Sequence, residues 1–214
     1  MIGDRLIIKE KHRRAGEQIV DRIAPELRSS ARIYTITIAG ESGSGKSEMG
    51  QAVADALTRR GFKTLVLQQD DYFVHPPKTN DRTRRRDIGW VGMQEVRLDL
   101  LDQHLSQARS GAETIVKPLV VYEEDRITEE TVSLRGIAAV VAEGTYTTAL
   151  ENVDTRVFID LTYLDTLQSR LERAREAQDD FLERVLEIEH RIISAHKNCA
   201  DYLIDKQYRV VDSS

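Results

Sequence analysis

Gly40-Glu41-Ser42-Gly43-Ser44-Gly45-Lys46-Ser47 is a complete G-x-x-x-x-G-K-[ST] run, and its flanks decide the fold. Before it stands Arg32-Ile33-Tyr34-Thr35-Ile36-Thr37-Ile38-Ala39, rich in the β-branched residues that suit a buried strand. After it, Ser47 to Leu57 carries apolar residues at helical spacing. Strand, glycine loop and helix in that order build an anion cradle. The glycines let the backbone curl until several N–H groups point at one anion, and the helix N-terminus adds partial positive charge. Lys46 is expected to reach the β- and γ-phosphates of a nucleoside triphosphate, with the Ser47 hydroxyl on Mg²⁺.

Working outward, Gly61 stands where a helix C-terminus wants a left-handed residue. Phe62 to Leu67 then reads as a second strand ending at Gln68-Gln69-Asp70-Asp71-Tyr72-Phe73. Residues 74 to 92, with Pro76-Pro77 and several charges, read as an irregular excursion, and such loops are usually functional or mobile. A helix is predicted from about Val96 to Arg109 with Gly111 as its stop, then an extended segment, Ile115 to Val121, interrupted by Pro118. Ile137 to Ala142 and Val157 to Leu161 are apolar runs of the kind buried on both faces of a parallel sheet. Leu164 to Ala177 and Phe181 to Ala195 read as helices separated near Gln178-Asp179-Asp180, and Tyr202-Leu203-Ile204 as a last strand. Alternating strands and helices indicate a three-layer α/β/α sandwich with a central parallel sheet. Residues 1–30 precede this unit as an extension: Leu6-Ile7-Ile8 could form a short strand, and Ile19, Ile23 and Leu27 fall at helical spacing in a segment that Pro25 would disturb. Residues 31–214 form the main domain.

At 214 residues there is little room for a second domain. A net charge of −5 gives no global reason to expect nucleic acid, and one cysteine, Cys199, excludes an internal disulfide. No apolar run is long enough to span a bilayer, and Met1 to Leu6 lacks a secretory signal's apolar stretch. The expectation is a cytoplasmic protein with a small-molecule substrate, no membrane or nucleic-acid partner, and possible homo-oligomers.

Ligands of a parallel sheet gather at the carboxyl ends of its strands, where three acidic signals fall. Asp70 is the first choice for a base that orients an acceptor hydroxyl and takes its proton, and Asp71 is the reserve; the alternative is an Asp capping a turn. Glu143, closing the apolar run before Gly144, suits the Mg²⁺ shell. Asp160 is as well explained as a cap of the following helix. Arg170, Arg173 and Arg175 could stabilise charge on a transferring phosphoryl group, or pair with Glu172 and Glu176 on a solvated helix face. Arg82, Arg84, Arg85 and Arg86 could hold an acceptor phosphate or guide ATP, though a solvated loop explains them better. Tyr72 and Trp90 could stack on a base or ribose, or fill the core. His75 and Cys199 receive no role.

With these motifs in order, residues 33 to 205 resemble the uridine kinase and phosphoribulokinase branch of the P-loop kinases. Residues 40–47 are similar to the family's phosphate loop, and Gln69-Asp70-Asp71-Tyr72-Phe73 resembles the segment carrying its catalytic aspartate, which maps to Asp70. Pro118, Tyr122, Arg126 and Glu129-Glu130-Thr131-Val132 are similar to its substrate-side segment, and Ala142-Glu143-Gly144-Thr145-Tyr146 to its strand-end Glu-Gly motif. Arg170-Leu171-x-Arg173 resembles the start of its mobile lid, and Lys197 through Ala200-Asp201 its closing Lys-x-x-Ala-Asp. The resemblance implies a P-loop NTPase fold and an ATP- and Mg²⁺-dependent kinase acting on a hydroxyl of a nucleoside or ribosyl metabolite. Its catalytic residues would be Asp70, Lys46, Glu143 and Arg173, with Asp71, Tyr72, Tyr122, Arg126 and Arg170 on the substrate side. The sequence departs from uridine kinases after Tyr122, where Glu123-Glu124-Asp125 carries no histidine, and at Asp87 to Gly92, where an Asp-His-Pro segment is missing. Nicotinamide riboside kinases share the Gln-Asp-Asp-aromatic-aromatic pattern, so other ribosyl acceptors, sugar phosphates and other metabolites stay open. A regulatory nucleotide switch is the rival class, but the Asn-Lys-x-Asp motif of GTPases is absent.

Overall fold

The protein is described by a computed structural model covering residues 6–173 and 179–213, without the side chains of Ser169, Glu172 and Arg173. A six-stranded sheet runs in the order β2-β5-β1-β6-β7-β8, formed by Thr64–Gln68, Ala139–Glu143, Tyr34–Gly40, Thr155–Ile159, Tyr202–Ile204 and Val210–Asp212. Every pairing is parallel except that of β7 with β8. The central strands β1 and β5 are buried along their whole length, as sheets covered on both faces require.

One face is covered by α1 (Glu10–Ser29) and α2 (Lys46–Arg59), whose Ile19, Ile23, Met49, Val53 and Leu57 pack on Ile36, Ile38, Val141 and Val157. On the other, Leu101 and Leu105 of α4 (Leu98–Arg109) pack with Val140, Ala142 and Leu67. These are the three layers expected. The stretch set apart in the sequence as an extension supplies α1 to this core. Gly16 permits the close approach of α1 to α2, since a Cβ there would stand 3.0 Å from the backbone of Ala52. The helix also runs through Pro25. That residue is exposed, so water can satisfy the carbonyl its missing N–H leaves free. Leu6 to Ile8 form no strand.

Residues 74 to 92 are more ordered than expected. Pro77 opens helix α3 (Pro77–Arg86), where its fixed φ and missing N–H are tolerated in the first turn. Pro118 does not interrupt its segment either: Thr114–Val121 (β3) pairs antiparallel with Arg126–Ser133 (β4) in a separate hairpin. After β6, α5 (Leu167–Arg173) and α6 (Asp180–Ile193) carry the chain towards β7. Arg175 and Gln178 lie outside the described residues. Among the described residues, no helix is long and apolar enough to cross a membrane.

Candidate active site

The glycine loop leaves the end of β1 at Gly40 and enters α2 at Lys46. Gly43 and Gly45 take φ of +77° and +90°, a region L side chains rarely adopt. Space also excludes a side chain: a Cβ on Gly43 would stand 2.8 Å from Arg170 Cγ, and one on Gly45 2.8 Å from Tyr208 Oη. Behind the loop, Tyr208 donates a hydrogen bond to the Ser44 carbonyl at 2.7 Å. In front, Thr166 donates to the Ser42 carbonyl at 2.8 Å. The Ser44 hydroxyl is buried with no partner among the described residues, a donor left over in a loop built around amides. Lys46 Nζ donates to the Glu41 carbonyl at 2.9 Å.

Register brings the acids to this loop. Glu143 ends β5 between Ile38 of β1 and Gln68 of β2, and directly after Gln68 a 3₁₀ turn carries Asp70. Glu143 is buried beside Ser47. Burial first and the Asp70 charge second push its carboxyl up to about 7, against the opposing pull of Lys46 and Ser47. Asp70 is also pushed up, mainly by desolvation, with Lys46 opposing. After Glu143, Gly144 must lack a side chain, since a Cβ there would sit 2.2 Å from Gln69 Cβ. Gln69 in turn accepts a hydrogen bond from the Tyr146 amide at 2.7 Å.

Two acids that resist ionising side by side suit a divalent cation. Among the described residues no three His, Cys, Asp or Glu side chains cluster to hold a metal alone. That composition fits Mg²⁺, which takes one or two protein oxygens and completes its shell with phosphate and water. Ser47 and Glu143 would supply those oxygens.

Glu143 also sets a pH dependence. A carboxyl raised from 4.5 to about 7 holds its proton in the folded state while the unfolded chain has lost it. Stability of the nucleotide-free protein is therefore expected to fall by on the order of 3 kcal/mol as pH rises from about 4.5 to about 7. Urea unfolding across that window measures the slope, and Glu143→Gln should flatten it; an equal slope in the variant would refute the assignment.

Lys46, Ser47, Asp70 and Glu143 open into one cavity of about 600 Å³, which also reaches Gly43, Tyr122 and Arg170. Helices α3 and α6 wall its far side with Lys78, Arg82, Arg84 and Arg85 facing Phe181, Leu182, Val185 and Glu189. The arginine run read as a solvated loop thus stands on a helix at the cavity. Arg84 is mostly buried against Glu95 and Glu189, with Nη2 3.0 and 3.1 Å from their oxygens. The Pro77 start signal was the clue to this helix; the acids that order Arg84 are distant in sequence and gave none.

Of the other expected site residues, Tyr122 and Arg170 line the cavity, while most of the rest are placed elsewhere. Tyr72 is fully buried in the core, hydrogen-bonded to His104 at 2.9 Å. Asp71 is buried in an ion pair with Lys117 at 2.8 Å and accepts the Val120 amide at 3.0 Å, so it anchors the β3–β4 hairpin. Arg126 is exposed and pairs with Glu124 at 2.7 Å, away from the cavity. Asp160 pairs with Lys197 at 2.7 Å, seven residues before α5 begins at Leu167. Arg170 bonds the Thr166 hydroxyl at 2.7 Å and the Tyr163 carbonyl, its stem lying over Gly43. Arg173 ends α5, and its side chain lies outside the described set.

Comparisons with known proteins place the chain in a family. The family model described as the phosphoribulokinase / uridine kinase family matches residues 35–212. The bifunctional α-galactosidase/sucrose kinase of Mediterraneibacter gnavus is 27% identical over 191 residues, which cover 83% of this chain. The chain spans only 20% of that relative's length. Among solved structures, a protein named as a fructose transport system kinase from Silicibacter sp. TM1040 superposes with a TM-score of 0.64 at 16% identity, covering 86% of this chain and 94% of that one. D-glycerate 3-kinase from Cryptococcus neoformans does so at 0.63 and 13% identity, covering 96% and 99%. At such identities the likeness is one of fold. Matched along nearly all its length, the chain belongs to the phosphoribulokinase / uridine kinase family of P-loop kinases.

Proposed function

We propose that this kinase transfers the γ-phosphoryl group of Mg·ATP to a hydroxyl of a small carbohydrate-bearing metabolite, with a ribosyl 5′-hydroxyl as the first candidate. The observation carrying this reading is the placement of Asp70 in one cavity with Lys46, Ser47 and Glu143, with space beyond it for an acceptor. Loop amides and Lys46 hold the triphosphate, and Arg170 adds positive charge beside Gly43. Mg²⁺, when bound, neutralises charge on the phosphoryl oxygens. Asp70 orients the acceptor hydroxyl and takes its proton as that oxygen attacks the γ-phosphorus. Its desolvation makes it a stronger base than an ordinary aspartate. The α3 and α6 walls keep water from competing for the phosphoryl group. Arg173, placed by resemblance on the lid, completes the proposed set.

A sugar acceptor is the second reading. The curated relative is named as a sucrose kinase, and no histidine follows Tyr122 at the cavity. Lys78, Arg84 and Arg85 stand at the cavity wall with their charges already engaged by protein partners, which favours a neutral hydroxyl-bearing acceptor over a phosphorylated one.

Screening nucleosides, ribosyl cofactor precursors, free sugars and sugar phosphates for acceptor-dependent ADP release tests both readings. ADP release is expected to depend on one of these acceptors. Hydrolysis independent of any acceptor but stimulated by a protein would instead establish a nucleotide switch.

A further inference from the structure

Glu41 occupies the second position of the phosphate loop, yet it is buried and bound to a helix far along the chain. Its carboxylate accepts the Tyr163 amide at 2.6 Å and His190 Nδ1 at 2.6 Å. His190 stands on α6, where the preceding residue, Glu189, accepts from Arg84 of α3 at 3.1 Å. Arg84 also grips buried Glu95, which accepts from Asn80 Nδ2 at 2.6 Å. Asn80 accepts from Trp90 Nε1 at 2.9 Å. Two sets of hydrogen bonds, one from the phosphate loop to His190 and one from Glu189 to the α3 wall of the acceptor cavity, thus meet on adjacent residues of α6.

We infer that His190 and Glu189 are positioning residues through which nucleotide occupancy of the phosphate loop sets the α3 wall that receives the acceptor. This rests on the reading of residues 40–47 as the nucleotide site. The driving contact is Lys46. Its ammonium holds the Glu41 carbonyl here, and turning towards phosphate oxygens releases that peptide. The Glu41 side chain then carries the shift to His190, because a buried carboxylate retains its donors. The helix transmits it as a packed unit, held by Leu182, Val185, Leu186 and Ile193.

Trp90, the one tryptophan of the sequence, ends the relay and reports on it without any acceptor. Mg·ADP is titrated into the wild type, His190→Ala and His190→Asn, following heat and Trp90 emission together, with thermal melts as a folding check. Wild-type emission is expected to change in step with the heat. At saturating nucleotide, His190→Ala should lose that change by about fivefold or more, as expected of a broken coupling. His190→Asn, whose amide can donate near the Nδ1 position, should keep it. A purely structural histidine would show in the melts and leave the saturated emission change intact. Full retention in folded His190→Ala, loss in His190→Asn equal to that in Ala, or a silent wild-type Trp90 despite bound nucleotide would overturn the inference alone. Absence of any heat with the wild type would overturn the nucleotide reading, and the inference with it.

Discussion

Asp70→Asn is expected to lower turnover by about a hundred- to ten-thousandfold, the usual contribution of a positioned proton acceptor, with Mg·ATP affinity nearly unchanged. The amide preserves shape and removes basicity. Its neighbours explain why the effect should fall on turnover: Asp70 shares the cavity with Lys46 and Glu143, whereas the proposed grip on the triphosphate falls to the loop amides and Lys46. Lys46→Ala should instead weaken nucleotide binding together with turnover, since it removes a cation facing the phosphates. Single-turnover rates with calorimetric binding separate the two. Near-normal turnover in Asp70→Asn would dismiss it as the base.

Lys117→Met should destabilise the protein by about 3–5 kcal/mol, because it leaves Asp71 buried without its cation. The β3–β4 hairpin bears the loss, since Asp71 ties β3 to the turn after β2 through both Lys117 and the Val120 amide. For a chain of this size the melting temperature should drop by roughly 10 °C. Adding Asp71→Asn to the Lys117→Met variant should recover a large part of it, because a neutral amide costs far less to bury unpaired. The same pair decides between an anchoring and a substrate-binding Asp71. If Asp71→Asn alone left stability intact but abolished acceptor use, the anchoring role would be wrong.

The two acids illustrate what a sequence can and cannot reveal. Asp70 and Asp71 are neighbours of identical chemistry at one strand end, and in the sequence the family resemblance, which maps the catalytic aspartate to Asp70, is what ranked the first above the second. A 3₁₀ turn sends one side chain to the cavity and the other beneath the hairpin, a distinction made by backbone direction rather than composition. Tyr72 was misplaced for the same reason: an aromatic beside a catalytic segment looks available until its hydroxyl finds His104. The α3 wall was hidden because α3 is almost wholly polar, with only Asn80 buried. Such a helix has no apolar stripe to betray it and is fixed by partners on other elements.

Local chemistry alone therefore determined the parallel α/β architecture, the phosphate loop and the acid at the end of β5, since each depends on contiguous residues whose periodicity or backbone freedom is written in the chain. Tertiary structure decided which charges face the cavity, which are spent on anchoring, and how Glu41 comes to touch His190 across 149 positions. Those outcomes depend on desolvation and pairing between remote segments, which exist only once the chain has closed on itself.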